Sequence, residues 1–353
     1  MKLLRRYLWW AVLLPSMAVL GVILSLDLLF SFVAELDSLR GDYGVLQALQ
    51  YLFTTVPRRV HSFLPMAVLL GTLIGLGVLA NTGELTIIRA AGISPVRITL
   101  LALRPALLLL VMDLLLAEYV VPYSEQVAQS NRALAIGRSE EMRGRYGYWH
   151  REGNDFIHIQ AAQPNGVLHG VTRYRFADNR QLAETQFIER AIYQGDHWFM
   201  EGVRGSQLLP ESIVPYQQSS GVWQSALTPE LLSVLILSPD NLALSRLYSY
   251  AGYLREQGLE AAEYLLSFWQ RLLMPLATLG MVLIASSVMF GPLRQVTMGL
   301  RLTLGILGGM IFHYGQQIFG HASLVFGIQP LMAAAIPPLL ALLAGLILLL
   351  RTR

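Results

Sequence analysis

ITLLALRPALLLLVMDLLLAEYVV, residues Ile98 to Val121, is followed at once by Pro122-Tyr123-Ser124-Glu125-Gln126, and that change of character decides the fold. The apolar run is long enough to cross a hydrocarbon core about 30 Å thick as a helix. From Pro122 the chain is hydrophilic as far as about Glu263. Two comparable runs precede it, Leu8 to Phe32 and Val56 to Leu79. Three more come after the insert, at Phe268 to Phe290, Leu302 to Phe319 and Leu324 to Leu350. The reading is an α-helical membrane protein with six transmembrane helices, three on either side of a folded insert. It divides the chain into 1–121, 122–263 and 264–353.

Composition agrees. In 353 residues, 54% are hydrophobic and 14% charged, and the mean hydropathy is +0.49, so the bilayer rather than an internal core is the main solvent. The first run follows Lys2, Arg5 and Arg6 like a secretory signal, but it is too long and lacks a convincing small-x-small cleavage site, so it reads as a retained helix. There is no cysteine, hence no disulfide and no thiolate metal site. Basic residues beside helix ends stay cytoplasmic. Lys2, Arg5, Arg6, Arg89, Arg97, Arg294, Arg301, Arg351 and Arg353 fall on one side, against Arg40, Arg58 and Arg59 in the first loop on the other. Both termini are therefore expected in the cytoplasm and the insert outside the inner face. The charge of +3 comes from orientation and gives no reason to expect nucleic acid.

Within the insert the period changes from helical to alternating, the pattern of strands with one buried face. In Leu168 to Phe176, one side carries Leu168, Gly170, Thr172, Tyr174 and Phe176, the other Val171, Arg173 and Arg175. Turn residues punctuate the strands at Glu152-Gly153-Asn154-Asp155, Pro164-Asn165-Gly166, Ala177-Asp178-Asn179-Arg180 and Gln194-Gly195-Asp196-His197. The pattern predicts a β-rich domain, whose edges either accept a strand from another chain or are merely protected.

Between the second and third runs, Asn81 to Pro95 reads as a short surface helix at about 82–92. Thr82 or Asn81 caps it, Glu84 suits its first turn, and Gly92 with Pro95 ends it. Leu85, Ile88 and Arg89 recur at helical spacing, so the helix either rests on headgroups or pegs into a cytoplasmic partner. A peg suits a transporter without its own motor. A nucleotide-binding P-loop needs a lysine, and the only lysine here is Lys2. Schiff-base lysine chemistry goes with it, and HExxH and G-x-S-x-G are missing too.

Charge at membrane depth is costly and faces a cavity or a partner. Asp27, Arg104, Asp113, Glu118, His313, Gln316 and Gln317 are polar residues within the runs, most of them near an end. Asp113 and Glu118 are five apart and do not share a helix face. Gly71, Gly75 and Gly77 smooth the second run and Gly305, Gly308, Gly309 and Gly315 the fifth, which permits close helix approach. Arg58, Arg59 and His61 open the second run, and Arg132, Arg138, Arg143 and Arg145 come after the third. The planar forks of the arginines suit anionic headgroups as well as plain anchoring.

Phe290-Gly291-Pro292-Leu293-Arg294 with Met298-Gly299, Gln317-Ile318-Phe319-Gly320, Val325-Phe326-Gly327-Ile328 with Pro330, and Glu84-Leu85 through Arg89-Ala90-Ala91-Gly92 resemble the permease subunits of the Gram-negative lipopolysaccharide export transporter, the LptF/LptG family. The resemblance covers essentially the whole chain and is stronger to the G-type than to the F-type. It implies a periplasmic β-jellyroll between helices three and four and an F-type permease (LptF) as pseudosymmetric partner. It further implies a dimeric cytoplasmic ATPase (LptB), and a single-span periplasmic LptC leading to LptA. The chain itself would bind no cofactor, ATP and Mg being used by the ATPase. Glu84, Leu85, Ile87, Ile88, Arg89, Ala91 and Gly92 would couple to that ATPase.

Lipopolysaccharide would enter from the outer leaflet of the inner membrane. Leu26, Phe30, Phe32, Phe63, Phe312, His313 and Tyr314 would meet it, with Arg58, Arg59 and Arg132 for its phosphates. Relatives often place lysine near the outer end of helix one, where this chain has Ser31, Glu35 and Asp37, so phosphate recognition shifts to the arginines or to the partner permease. Three rival readings are a scaffold docking periplasmic proteins without a lipid path, an ion-coupled secondary transporter, and a lipid-modifying enzyme. The second would need midplane charges in both halves, which the fourth and sixth runs hardly supply, and the third lacks a convergent acid, base or metal set.

Overall fold

A computed structural model describes residues 2–39, 43–136, 147–209, 212–256, 258–290 and 297–351. Its contacts gather into two compact units, one of Met1–Asp27, Pro57–Val120 and Ala243–Arg353, the other of Leu28–Val56 and Val121–Leu242.

The first unit is helical. It is built on α1 (Lys2–Leu36, whose last turns belong to the second unit), α3 (Val56–Asn81), the short α4 (Glu84–Ala90) and α5 (Pro95–Leu115). From the C-terminal part come α8 (Leu244–Glu256), α9 (Ala262–Phe290), α10 (Met298–Val325) and α11 (Pro330–Arg351). Among the described residues, five helices are long and apolar enough to cross a membrane: α1, α3, the continuous Pro95–Ile136, α9 within Ala262–Ser287, and α11. The fifth apolar run is the helix α10, of 28 residues. Prolines sit inside α1, α3, α5, α9 and α11, a tolerance usual where neighbouring helices resatisfy the backbone.

Packing is uneven. The buried residues of α1 are Leu8, Val12, Ser16 and Leu20, a single stripe four residues apart, whereas α3 is buried along most of its length. The two helices touch where Gly71 meets Ser16 and Gly75 meets the Ala11 carbonyl; a methyl group at either glycine would overlap those atoms. Leu8, Val12, Leu69, Leu73, Leu76, Leu85, Ile98 and Phe290 close one continuous core.

The second unit contains α2 (Val45–Thr54), α6 (Val121–Ile136), six strands and α7 (Pro229–Ile236). The strands are β1 (Tyr148–Glu152), β2 (Asp155–Gln163), β3 (Val167–Phe176), β4 (Leu182–Tyr193), β5 (Trp198–Leu209) and β6 (Ser212–Trp223). They form one antiparallel sheet in the order β1-β2-β3-β4-β5-β6. Each of the four turns read from the sequence joins a hairpin. Where the resemblance implies a jellyroll, the described strands form an up-and-down meander whose neighbours are all consecutive.

The ladder skips one position on β2, β3, β4, β5 and β6, at Gln160, Gly170, Glu189, Gly202 and Ser219. Gly170 and Gly202 there have φ +61° and +65°, a conformation that favours glycine. This crease moves the buried side: Ile157, Ile159, Val171, Ile188 and Val203 are buried on one part of the sheet, Ala162, Leu168, Ala191, Trp198 and Met200 on the other. Trp198 donates its indole N–H to the Leu227 carbonyl at 2.9 Å.

The insert does not open on a strand. The helix of the third run passes through a π-turn at Leu116–Val120 and continues as α6 to Ile136. Ala, Leu and Gln favour helix there, and Ser130 donates to the Ala162 carbonyl of β2.

Candidate functional site

Two places hold the residues singled out by sequence. The first is α4. Gly83, at φ +80°, begins it with no side-chain cap, so neither Thr82 nor Asn81 caps it. Asn81 is still the last residue of α3, and Thr82 bonds the Val78 carbonyl instead. Gly92, at φ +84°, ends it as expected. The apolar side of α4 turns inward: Leu85 is 5% exposed within the core around Leu8 and Ile98, and Ile88 packs against that core. Leu85 thus anchors the helix. The outward apolar residue is Ile87, 69% exposed, flanked by exposed Thr86, Ala90, Ala91 and Gly92, with Arg89 half-buried. Glu84 accepts a 2.5 Å hydrogen bond from the Tyr7 hydroxyl, tying the start of α4 to the first turns of α1.

The second place is a set of polar links. In the first unit Arg59 is buried and paired with Asp27 of α1. His61 Nδ1 lies 3.0 Å from Asp113 Oδ1, both groups buried. Arg271 of α9, also buried, interacts electrostatically with the same carboxylate. Three helices, α3, α5 and α9, therefore converge on Asp113, which is buried within the protein. Glu118, in the π-turn, accepts from the Leu244 N–H at 2.7 Å and the Ser245 hydroxyl at 2.6 Å, capping α8.

In the second unit Arg132 Nε donates to Glu35 at 2.7 Å, and a second nitrogen donates to Ser38 at 3.3 Å. Its guanidinium stands 5.7 Å from the Tyr43 ring and 5.4 Å from the Tyr51 ring. Tyr43 also donates to Glu35 at 2.8 Å. Burial, reinforced by that carboxylate, holds the Tyr43 hydroxyl above its ordinary range, so it remains a donor. Glu35 is thus the internal partner of Arg132.

Of the other residues proposed to meet lipid, Leu26, Phe30, His313 and Tyr314 are exposed, Phe30 at 68%. Phe32, Phe63, Phe312 and Arg58 are half-buried, and Phe63 packs against the core around Leu64 and Val68. His313 Nε2 lies 3.3 Å from the Gln317 amide nitrogen. Arg138, Arg143 and Arg145 lie outside the described residues. The sequence reading passed over Arg271, Tyr7, Tyr43 and Tyr51. An arginine inside the apolar run Phe268 to Phe290 was a signal for the first; the tyrosines left none.

Residues 6–351 match the family described as lipopolysaccharide export system permease LptF/LptG. Among similar proteins, the lipopolysaccharide export system permease protein LptG of Escherichia coli (strain K12) is 36% identical over 352 residues, covering 99% of this chain and 98% of that protein. LptG of Haemophilus influenzae is 33% identical over 340 residues, covering 96% and 95%. The chain belongs to the LptF/LptG family of lipopolysaccharide export system permeases.

Proposed function

We propose that this chain is the G-type transmembrane permease subunit of an ABC transporter that takes lipopolysaccharide from the outer leaflet of the inner membrane toward a periplasmic β-bridge. The observation that carries this reading is the family match from residue 6 to residue 351, with relatives named LptG aligned over nearly their whole length. The arrangement has six spans, both termini in the cytoplasm and the sheet in the periplasm. Domain limits at 1–121, 122–263 and 264–353 go with it, as do LptF, a dimeric LptB, LptC and LptA as partners. Hydrolysis of ATP belongs to LptB, and no catalytic step to this chain.

Ile87, Ala91 and Gly92 form the face offered to the ATPase, while Leu85 and Ile88 hold α4 on the core. Supporting this is the Tyr7 to Glu84 bond, which gives a push on α4 a direct route to α1. The work is a shift of population between two helix arrangements, biased by the ATPase. Lipopolysaccharide meets the exposed Leu26, Phe30, His313 and Tyr314, with Phe32 and Phe312 next to them in sequence and Phe63 on α3. Arg58, Arg59 and Arg132 serve its phosphates; Arg59 and Arg132 do so by exchanging Asp27 and Glu35 for phosphate oxygens, a like-for-like swap of anionic acceptors.

In the reconstituted transporter, Glu84→Ala and Tyr7→Phe are expected to lower lipopolysaccharide release per ATP hydrolysed while leaving membrane insertion and ATPase attachment intact. Normal release by both variants with the ATPase attached would remove α4 as the coupling element.

A further inference from the structure

Helix α2 has three distinct sides. Ala48 is buried with Tyr43 and Ile136, and Leu52 is buried beside it. Gln47, Gln50 and Thr54 line a small cavity next to Arg132. Between these, Val45, Leu46, Leu49 and Phe53 form an exposed apolar stripe at helical spacing, with Leu46 at 75% and Phe53 at 68% exposure. A continuous stripe of that kind marks contact with another apolar phase.

The chain itself says which phase. Thr55 alone separates α2 from α3, and residues 37–44 join it to α1. Both flanking helices are long and apolar enough to cross a membrane. At a rise of about 1.5 Å per residue the whole of α2 is about 15 Å long, so its stripe stays close to the point where α3 begins. We propose that α2 is an interfacial helix that lays Leu46, Leu49 and Phe53 into the boundary between headgroups and acyl chains, in the leaflet where α3 starts. Its polar side then holds the cavity beside Arg132 at headgroup depth, within reach of lipid phosphate. The inference rests on the reading of α1 and α3 as membrane spans.

The sequence contains no cysteine, so a single reporter can be placed in the full chain. Leu46→Cys, Phe53→Cys and Gln47→Cys would each be labelled with the fluorophore NBD. A fourth variant, Leu340→Cys, takes its place on the exposed side of α11. All would be reconstituted in phosphatidylethanolamine and phosphatidylglycerol vesicles with 5-doxyl lipid.

The expected result is blue-shifted emission at Leu46→Cys and Phe53→Cys, quenched by doxyl lipid severalfold more than at Gln47→Cys. Water-like, unquenched emission at both positions overturns the assignment. So does blue-shifted emission that doxyl lipid does not quench, because a protein surface would then cover the stripe. If Leu340→Cys is quenched in either case, the spans stand and only the role of α2 fails. If Leu340→Cys is also unquenched, the membrane reading falls and the inference with it.

Discussion

At the scale of single residues, the buried polar contacts are where this chain is most sensitive. Asp113, His61 and Arg271 bring together α3, α5 and α9 in an apolar setting, and deleting Asp113 removes the carboxylate that both other groups face. Asp113→Ala is expected to lower stability by about 1–3 kcal/mol, read as a lower melting temperature of the purified protein in detergent. An unchanged melting temperature for the single variant would show that the contact carries nothing. The sequence drew attention to Asp113 and Glu118 as costly charges, but their partners lie 52 and 126 positions away. No local pattern encodes pairings of that separation; only the packing of helices does.

At the scale of elements, α4 shows why spacing alone picked out an apolar side without saying what it faces. Leu85 and Ile88 look like a docking face in sequence, yet they pack on the chain's own core and leave Ile87 outside. Ile87→Asp is therefore expected to weaken co-purification of the ATPase without affecting the melting temperature. Leu85→Ala should do the reverse, costing about 2–5 kcal/mol of stability; equal effects of the two on ATPase recovery would contradict the assignment of faces.

The sheet carries a pH dependence. Burial draws His150 and His169 below the ordinary value of 6.5, helped at His169 by the nearby positive charge of Arg190 and opposed at His150 by Glu152. The unfolded chain then binds protons more readily than the folded one, so stability is intact above about pH 6.5 and falls as pH drops toward the depressed folded values. The protection of β1 to β3 amides in the full chain, taken relative to their intrinsic exchange rate at each pH, should fall between pH 7.5 and about pH 5, and His169→Gln should flatten that change. Exchange protection that is constant with pH would refute it. The hairpin turns were legible because Gly, Asn, Asp and Pro set them locally. Helix α6 was not, since the expected change of period at Pro122 hid a helix that runs on through a π-turn.

At the scale of the whole molecule, the long apolar runs declare a membrane protein because each run alone satisfies the length that a bilayer demands. The crease in the sheet was not declared, because Gly170 and Gly202 bend it only through positions on neighbouring strands. The sparse burial of α1, one stripe from Leu8 to Leu20, leaves most of its surface exposed. The most direct test of the permease role is a photocrosslinking residue at the exposed Phe30, in the chain assembled with its co-expressed neighbours in nanodiscs containing lipopolysaccharide. The account predicts lipopolysaccharide adducts that diminish when ATP is supplied. Protein adducts alone, or lipid adducts indifferent to ATP, would contradict it.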